Sequence, residues 1–342
     1  MKKVTPSESR KAEHIRINLE KNVQSGISNG LDKYRFPHQA LPEINLADVD
    51  LQTTFFGRRM SAPLLISSMT GGTKEALAIN RALAKAAQSA GIAMGLGSLR
   101  PAIESPALVS SYRVRNVAPD ILLFANLGAI QLNYGYSLDE CLRAVEIAEA
   151  DALILHLNPL QEALQPEGNT EFAGLLQKIE VICRSISVPV VVKEVGWGIG
   201  GETARRLAMA GVAAIDVAGA GGTSWSQVEK YRTHNRDGVR LASLFQDWGL
   251  STAEAIVECR KAVPDKPLIA SGGIRNGLEI AKCIALGAGL AGIAGPLLPA
   301  AVKGSRAVER EVERWIRELR VTMFAAGVRD LAELGNLPLQ KL

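Results

Sequence analysis

Within two helical turns, the segment HLNPLQE at 156–162 collects an imidazole (His156), two amides (Asn158 and Gln161) and a carboxylate (Glu162). The first three can hold an anion or pass a proton. A carboxylate beside a bound anion makes sense only if a cation intervenes, and Mg²⁺ binds through one or two carboxylates plus substrate phosphates. Glu162 is the candidate ligand. A second group lies in 267–298, where Ser271-Gly272-Gly273 and Gly295-Pro296 each follow a short apolar run. Glycine breaks of this kind bare backbone N–H groups that suit a phosphate, and Arg275 can add a charge-assisted contact. A third is the adjacent pair Arg10 and Lys11, with His14 one turn on, which could grip an anion. Each has a bland reading: a satisfied buried histidine, two tight turns, or a solvated helix face.

These groups act together only if the fold brings them to one place. From Pro63 onward the chain repeats a unit of apolar run, turn rich in Gly or Ser, and helical stretch. The runs fall at 63–67, 93–97, 121–126, 152–157, 188–193, 213–218, 267–271 and 290–294. Such alternation predicts βαβ units and a parallel sheet. Eight runs without a break predict a closed (β/α)8 TIM barrel, a single domain spanning 1–342. A doubly wound open sheet is the alternative, but no GxGxxG opens a helix after the first strand. Residues 1–60 read as a polar, irregular extension closing over the barrel mouth, with a helix from Ser9 to Lys21, and 305–327 as a long C-terminal helix.

In such a barrel the carboxyl ends of the strands carry function. They present Ser67, Ser68, Met69 and Thr70, then Ser98, Leu99 and Arg100, then Asn126, His156, Lys193 and Thr223, and finally the two glycine breaks. A planar heterocycle with polar edges and a phosphate tail would satisfy this ring. Flavin mononucleotide (FMN) is the natural candidate, with Lys193 able to stabilise negative charge on the ring.

The bulk numbers narrow the classes. In 342 residues, 47% hydrophobic content supplies a large core, and 32 glycines suit many strand-ending turns. A formal charge of +4, without a basic stripe interleaved with aromatics, suits a small anionic ligand better than nucleic acid. Cys141, Cys183, Cys259 and Cys283 show no CxxC spacing and read as reduced cysteines of a cytoplasmic protein. No apolar run follows Met1-Lys2-Lys3, so no signal peptide is expected, and none is long enough to span a bilayer.

Over nearly its whole length the chain resembles the type 2, flavin-dependent isopentenyl-diphosphate isomerases. The resemblance rests on SRKAEH at 9–14, SSMTGG at 67–72, GLGSLR at 95–100, HLNPLQE at 156–162, KEVGWGI at 193–199, GAGGTSW at 219–225, SGGIR at 271–275 and AGP at 294–296. Other flavin barrels match less well. Hydroxy-acid oxidases carry a histidine base after the sixth strand, where this chain reads Ala218-Gly219-Ala220-Gly221, and inosine-monophosphate dehydrogenases a cysteine nucleophile, absent between Cys183 and Cys259. An FMN-dependent oxidoreductase on the same barrel is the alternative activity.

The resemblance implies conversion of isopentenyl to dimethylallyl diphosphate, a 1,3-proton shift using reduced FMN and Mg²⁺, with NADPH as priming reductant, in a homo-oligomer (tetramer or octamer). It implies that Ser67, Ser68, Met69, Thr70, Ser98, Asn126, Lys193 and Thr223 hold the flavin, with Gly272, Gly273, Ile274, Arg275, Ala294 and Gly295 at its phosphate end. Arg10, Lys11, Ser98, Leu99, Arg100, His156, Asn158 and Gln161 would face the substrate, and Glu162 would bind Mg²⁺. Gln161 would move the proton with Glu229 as its terminal partner, and His156 and Asn158 would assist. The segment LQPEGNTEFAG after the Gln-Glu pair is polar and uncharged at Asn169-Thr170, which is expected to bear on the loop and not on the chemistry.

Overall fold

The computed structural model describes residues 6–342, with side chains from Arg10 on, Lys74 apart; Met1-Lys2-Lys3 lie outside the described residues. Eight parallel strands follow one another around a closed barrel: β1 (Leu64–Ile66), β2 (Ala93–Gly95), β3 (Leu123–Gly128), β4 (Ala152–His156), β5 (Val190–Lys193), β6 (Ala214–Asp216), β7 (Leu268–Ser271) and β8 (Leu290–Ile293). β8 pairs with β1 through Gly292 and Leu65, which closes the ring. Seven lie within the apolar runs of the sequence, shortened at their ends, and β3 is shifted two residues toward the carboxyl side of its run at 121–126.

Alternation along each strand sorts side chains into two cores. Leu65, Phe124, Ile154, Val191, Ile269 and Leu290 pack inside the barrel. Their neighbours Leu64, Ile66, Leu123, Leu153, Val190 and Leu268 pack outward against the helices. The helices start at sequence-encoded caps: Thr73 accepts from the Ala76 N–H, and Ser137 with Glu140 and Ser251 with Glu254 form capping boxes. The last long helix, Ser305–Ala326, carries the stripe Val308, Val312, Trp315, Leu319, Met323 and packs across helices Lys74–Ala90 and Gly277–Ala285.

The extension is more structured than its polar composition suggests. A hairpin of Thr53–Phe55 and Arg58–Met60 turns at Phe56-Gly57, both at positive φ (46° and 75°). Phe55 and Met60 join the interior core, and Phe56 lies 6.3 Å from the Phe124 ring, so the hairpin plugs the barrel at the amino ends of its strands. The first helix spans Pro6–Glu20, three residues earlier than the sequence pattern suggests, and packs on helix Trp225–Arg232. Gln24 then bridges to Thr223, and the Ser25 N–H donates to the Gly222 carbonyl at 2.8 Å. The extension thus reaches both ends of the barrel. Among the described residues no helix is long and apolar enough to cross a membrane.

Candidate active site

The same alternation that fills the barrel floor with leucine and phenylalanine turns polar toward the carboxyl ends. Continuing the inward positions upward gives Ser67, Asn126, His156, Lys193, Asp216 and Ser271. Above them opens a cavity of about 860 Å³.

One wall is made of hydroxyls, glycines and backbone. The side-chain oxygens of Ser67, Ser68 and Thr70 are buried there without a hydrogen-bond partner among the described residues. Gly272 (φ 108°) and Gly273 (φ 70°) hold conformations that glycine alone adopts without strain. A Cβ on Gly272 would lie 2.0 Å from the Gly219 carbonyl oxygen, and one on Gly273 2.3 Å from that of Gly221. The loops after β6 and β7 therefore stack with no room for a side chain. Arg275 Nη2 donates to the Gly221 carbonyl at 2.9 Å and ties them together. A Cβ on Gly295 would meet only the Thr223 hydroxyl, at 3.5 Å, so the wall by β8 is open to a ligand.

At the base Lys193 Nζ donates to the Glu194 carbonyl (2.9 Å) and to Ser271 Oγ (3.3 Å), and lies 3.4 Å from Asp216 Oδ2. His156 Nδ1 sits 2.8 Å from Asn126 Oδ1. Burial, with Lys11 and Lys193 nearby, pushes the His156 pKa down to about 3, so its imidazole is neutral at physiological pH. Glu194 turns away and accepts from the backbone N–H groups of Val195, Gly196 and Trp197 at 2.6–2.7 Å. Its carboxyl is raised to about 7 by burial, against these hydrogen bonds.

The opposite wall is made of charged and amide side chains. Arg10, Lys11 and Arg100 line it, and burial next to the two arginines lowers the Lys11 ammonium to about 8. Anionic groups are therefore favoured here. Asn158 Nδ2 donates to Gln161 Oε1 (3.2 Å) and Glu162 Oε1 (2.8 Å), fixing both side chains on the short helix Pro159–Leu164. Gln161 Nε2 in turn donates to Glu229 Oε1 at 3.3 Å. Glu229 is buried, with His14 Nε2 3.3 Å away and Arg232 Nη1 donating at 2.6 Å. Burial would raise its carboxyl, but His14 and Arg232 hold it below the usual range. Arg232 also pairs with Glu13 (3.3 Å) and Glu167 (2.9 Å), joining the first helix to the segment after β4.

A family profile described as FMN-dependent dehydrogenase matches residues 18–107 and 157–341. Proteins named isopentenyl-diphosphate delta-isomerase align over nearly the full chain. The one from Nostoc sp. is 54% identical, covering 96% of this chain and 95% of its own. That from Synechocystis sp. is 52% identical with the same coverage. That from Rickettsia bellii is 49% identical, covering 97% of each. The chain belongs to the isopentenyl-diphosphate delta-isomerase family. Solved structures add the fold: a mandelate oxidase with a C4a-OH-FMN adduct superposes with a TM-score of 0.67 at 21% identity, covering 96% of this chain and 95% of that one. A mandelate oxidase with (S)-mandelic acid gives 0.66 at 20% identity, covering 100% and 99%.

For a member of this family FMN is the cofactor to test against the cavity, and the residues fit it. Buried hydroxyls without partners at Ser67, Ser68 and Thr70 answer the polar edges of a heterocycle. The stacked glycine loops and the open wall at Gly295 leave backbone for a phosphate. The cavity is lined by every flavin candidate named from the sequence: Ser67, Ser68, Met69, Thr70, Ser98, Asn126, Lys193, Thr223, Gly272, Gly273, Ile274, Arg275, Ala294 and Gly295. Arg10, Lys11, Arg100, His156, Asn158, Gln161 and Glu162 line it too, and Glu229 reaches it through Gln161. Leu99 does not: its side chain is buried in the outer core, and only its backbone N–H acts nearby, donating to the Asn126 carbonyl.

Sequence motifs leave three residues of this family member's site unmarked, Asn169, Arg232 and Asp216, and mark His14 only as part of an anion grip. Asn169 lies in a polar, uncharged loop, yet its N–H donates to Glu162 Oε2 at 2.6 Å, and its Oδ1 accepts from Arg100 and Gln131. His14, marked by the motif at 9–14 only as a neighbour of Arg10 and Lys11, and Arg232, marked by none, complete the Glu229 node. Asp216 was detectable, as a lone carboxylate inside an apolar strand run.

Proposed function

We propose that this protein interconverts isopentenyl diphosphate and dimethylallyl diphosphate by a 1,3-proton shift, with reduced FMN and Mg²⁺ in the barrel mouth. The observation that carries the reading is the Gln161–Glu229 contact, an amide backed by a buried carboxylate beside a basic wall. Arg10, Lys11 and Arg100 take the diphosphate, assisted by Ser98, His156 and Asn158. Glu162 ligates Mg²⁺. Among the described residues no three His, Cys, Asp or Glu side chains gather as a metal site, so the remaining ligands are substrate oxygens and water. The ring of Ser67, Ser68, Met69, Thr70, Asn126, Lys193 and Thr223 holds FMN, its phosphate between the loops after β7 and β8. When bound, reduced FMN supplies an electron-rich ring beside the alkene and a nitrogen that exchanges a proton.

The chain's own part is to orient and to move the proton at the far side. Gln161 is neutral and can relay a proton next to a cation-like carbon, where a second positive charge would be repelled. Glu229, kept ionised by His14 and Arg232, receives it. Ile15, Val23, Met69 and Trp225 line the cavity and exclude water from the reacting carbon. A reductant such as NADPH primes the protein without being consumed each turnover. The N-terminal extension closes the mouth of one domain, and the protein works as a homo-oligomer in the cytoplasm.

The test is stoichiometry. Under anaerobic conditions one equivalent of reductant per FMN should support many turnovers of isopentenyl diphosphate. Product limited to one per reducing equivalent would replace the isomerase with an oxidoreductase on the same barrel.

A further inference from the structure

Asp216 is the deepest charge near the mouth. It ends β6 in register with Lys193 of β5 and Ile269 of β7, and it is fully buried. Its Oδ1 accepts from Ser271 Oγ at 2.6 Å and from the Ala218 N–H at 3.3 Å. Among the described residues its Oδ2 has no hydrogen-bond donor, and the cation within ion-pair reach of it is Lys193, at 3.4 Å. A buried carboxylate is costly unless a counter-charge and hydrogen bonds compensate it, and the same holds for the ammonium. Asp216 does not line the cavity, whereas Lys193 and Ser271 do. It therefore acts on a ligand only through them.

We propose that Asp216 is a positioning residue that keeps Lys193 charged and fixed at the cavity floor, and so sets how strongly the site favours reduced over oxidised FMN. Ser271 is the hinge of the device: its hydroxyl donates to Asp216 and accepts from Lys193, so one side chain orients both ions. The inference rests on the flavin reading above. The other titratable groups that face Lys193 are His156 on β4, in register with it, and Glu194 next to it. Both feel the Lys193 charge, so the difference between native and variant protein reads the Lys193 cluster as a whole.

The experiment is the midpoint potential of FMN bound to the full-length protein, read by anaerobic dye titration from pH 6 to 9. Native protein, Asp216→Asn and Ser271→Ala are compared. At pH 6 Asp216→Asn, its lysine still protonated and the carboxylate charge gone, should favour reduced FMN at least as strongly as native protein. As pH rises the variant's preference for reduced FMN should fall progressively below native, because a buried ammonium without its counter-charge is the disfavoured form. Ser271→Ala should drift in the same direction by less, and it decides the matter if Asp216→Asn does not fold. An offset from native that stays constant across the pH range would overturn the proposal, since loosened packing has no reason to titrate. Failure of native protein to bind FMN would overturn it together with the flavin reading. Normal FMN binding with a flat offset would remove this inference alone.

Discussion

The two walls of the mouth are built from different materials. The wall formed by β1, β7, β8 and the loop after β6 is made of hydroxyls, glycines and backbone that lie near one another in local motifs. The facing wall draws Arg10 and His14 from the first helix, Arg100 from the start of the short helix Arg100–Glu104 after β2, and Gln161 from the helix after β4. Glu229 and Arg232 come from the helix after β6. A wall of backbone takes its shape from the fold and tolerates no added volume. A wall of ion pairs depends on several distant segments being in place together, and it can lose one charge without losing its shape. Flavin retention should therefore follow the first wall and turnover the second.

The largest effect expected is at the glycine loops. Gly272→Val puts a Cβ onto the Gly219 carbonyl and forces a branched residue to φ 108°, a conformation costing on the order of 1–3 kcal/mol before the clash is counted. Loss of bound FMN and a lower melting temperature are the expected readouts; a variant that kept FMN at native affinity would break the division between the walls. Next comes Glu229→Gln, which removes the charge at the centre of the node while leaving FMN bound. The rate should fall by about 10²-fold or more, the usual worth of a proton-transfer group. If FMN were lost instead, Glu229 would belong to the other wall.

Glu162→Gln should be milder. Losing one charge-assisted ligand costs about 1.5–3 kcal/mol, seen as higher Mg²⁺ and substrate requirements with FMN retained. The smallest effect is on pH. Lys11 titrates near 8 in the free protein, so its charge is present below that pH and fades above it. KM for the diphosphate should rise as pH climbs through 8 to 9, with proton uptake on binding detectable by calorimetry in buffers of different ionisation heat. The same lowered value means that the unfolded chain holds more protons above pH 8. The unliganded fold should thus gain stability as pH rises toward the ordinary lysine range. His156, near 3, should add no limb to the KM profile above pH 6, but the unfolded imidazole takes up a proton that the folded one refuses, so stability should fall as pH drops from about 6.5 toward 3.

What was legible follows from the same contrast. The eight strands were readable because buried parallel strands write continuous apolar runs closed by glycine, and the wall of hydroxyls and glycines because its residues are those closing turns. The Gln161–Glu229 pairing was suggested by resemblance and is met by a 3.3 Å contact. Asn169 was not legible: an uncharged residue in a polar loop carries no mark of its backbone N–H reaching Glu162. The floor hairpin hid for a related reason, since Phe55-Phe56-Gly57 is too short a signal within a polar extension to announce that it fills a barrel. Arg232, three residues beyond Glu229, was readable as a helical neighbour, but its ties to Glu13 and Glu167 depend on tertiary approach.

The division of labour predicts that the flavin wall serves a proton shift without net electron transfer. Pre-reduced protein incubated anaerobically with isopentenyl diphosphate in D₂O tests this most directly. Deuterium should enter dimethylallyl diphosphate over many turnovers while the visible spectrum stays that of reduced flavin throughout. Reoxidation of the flavin in step with each product formed would contradict the account.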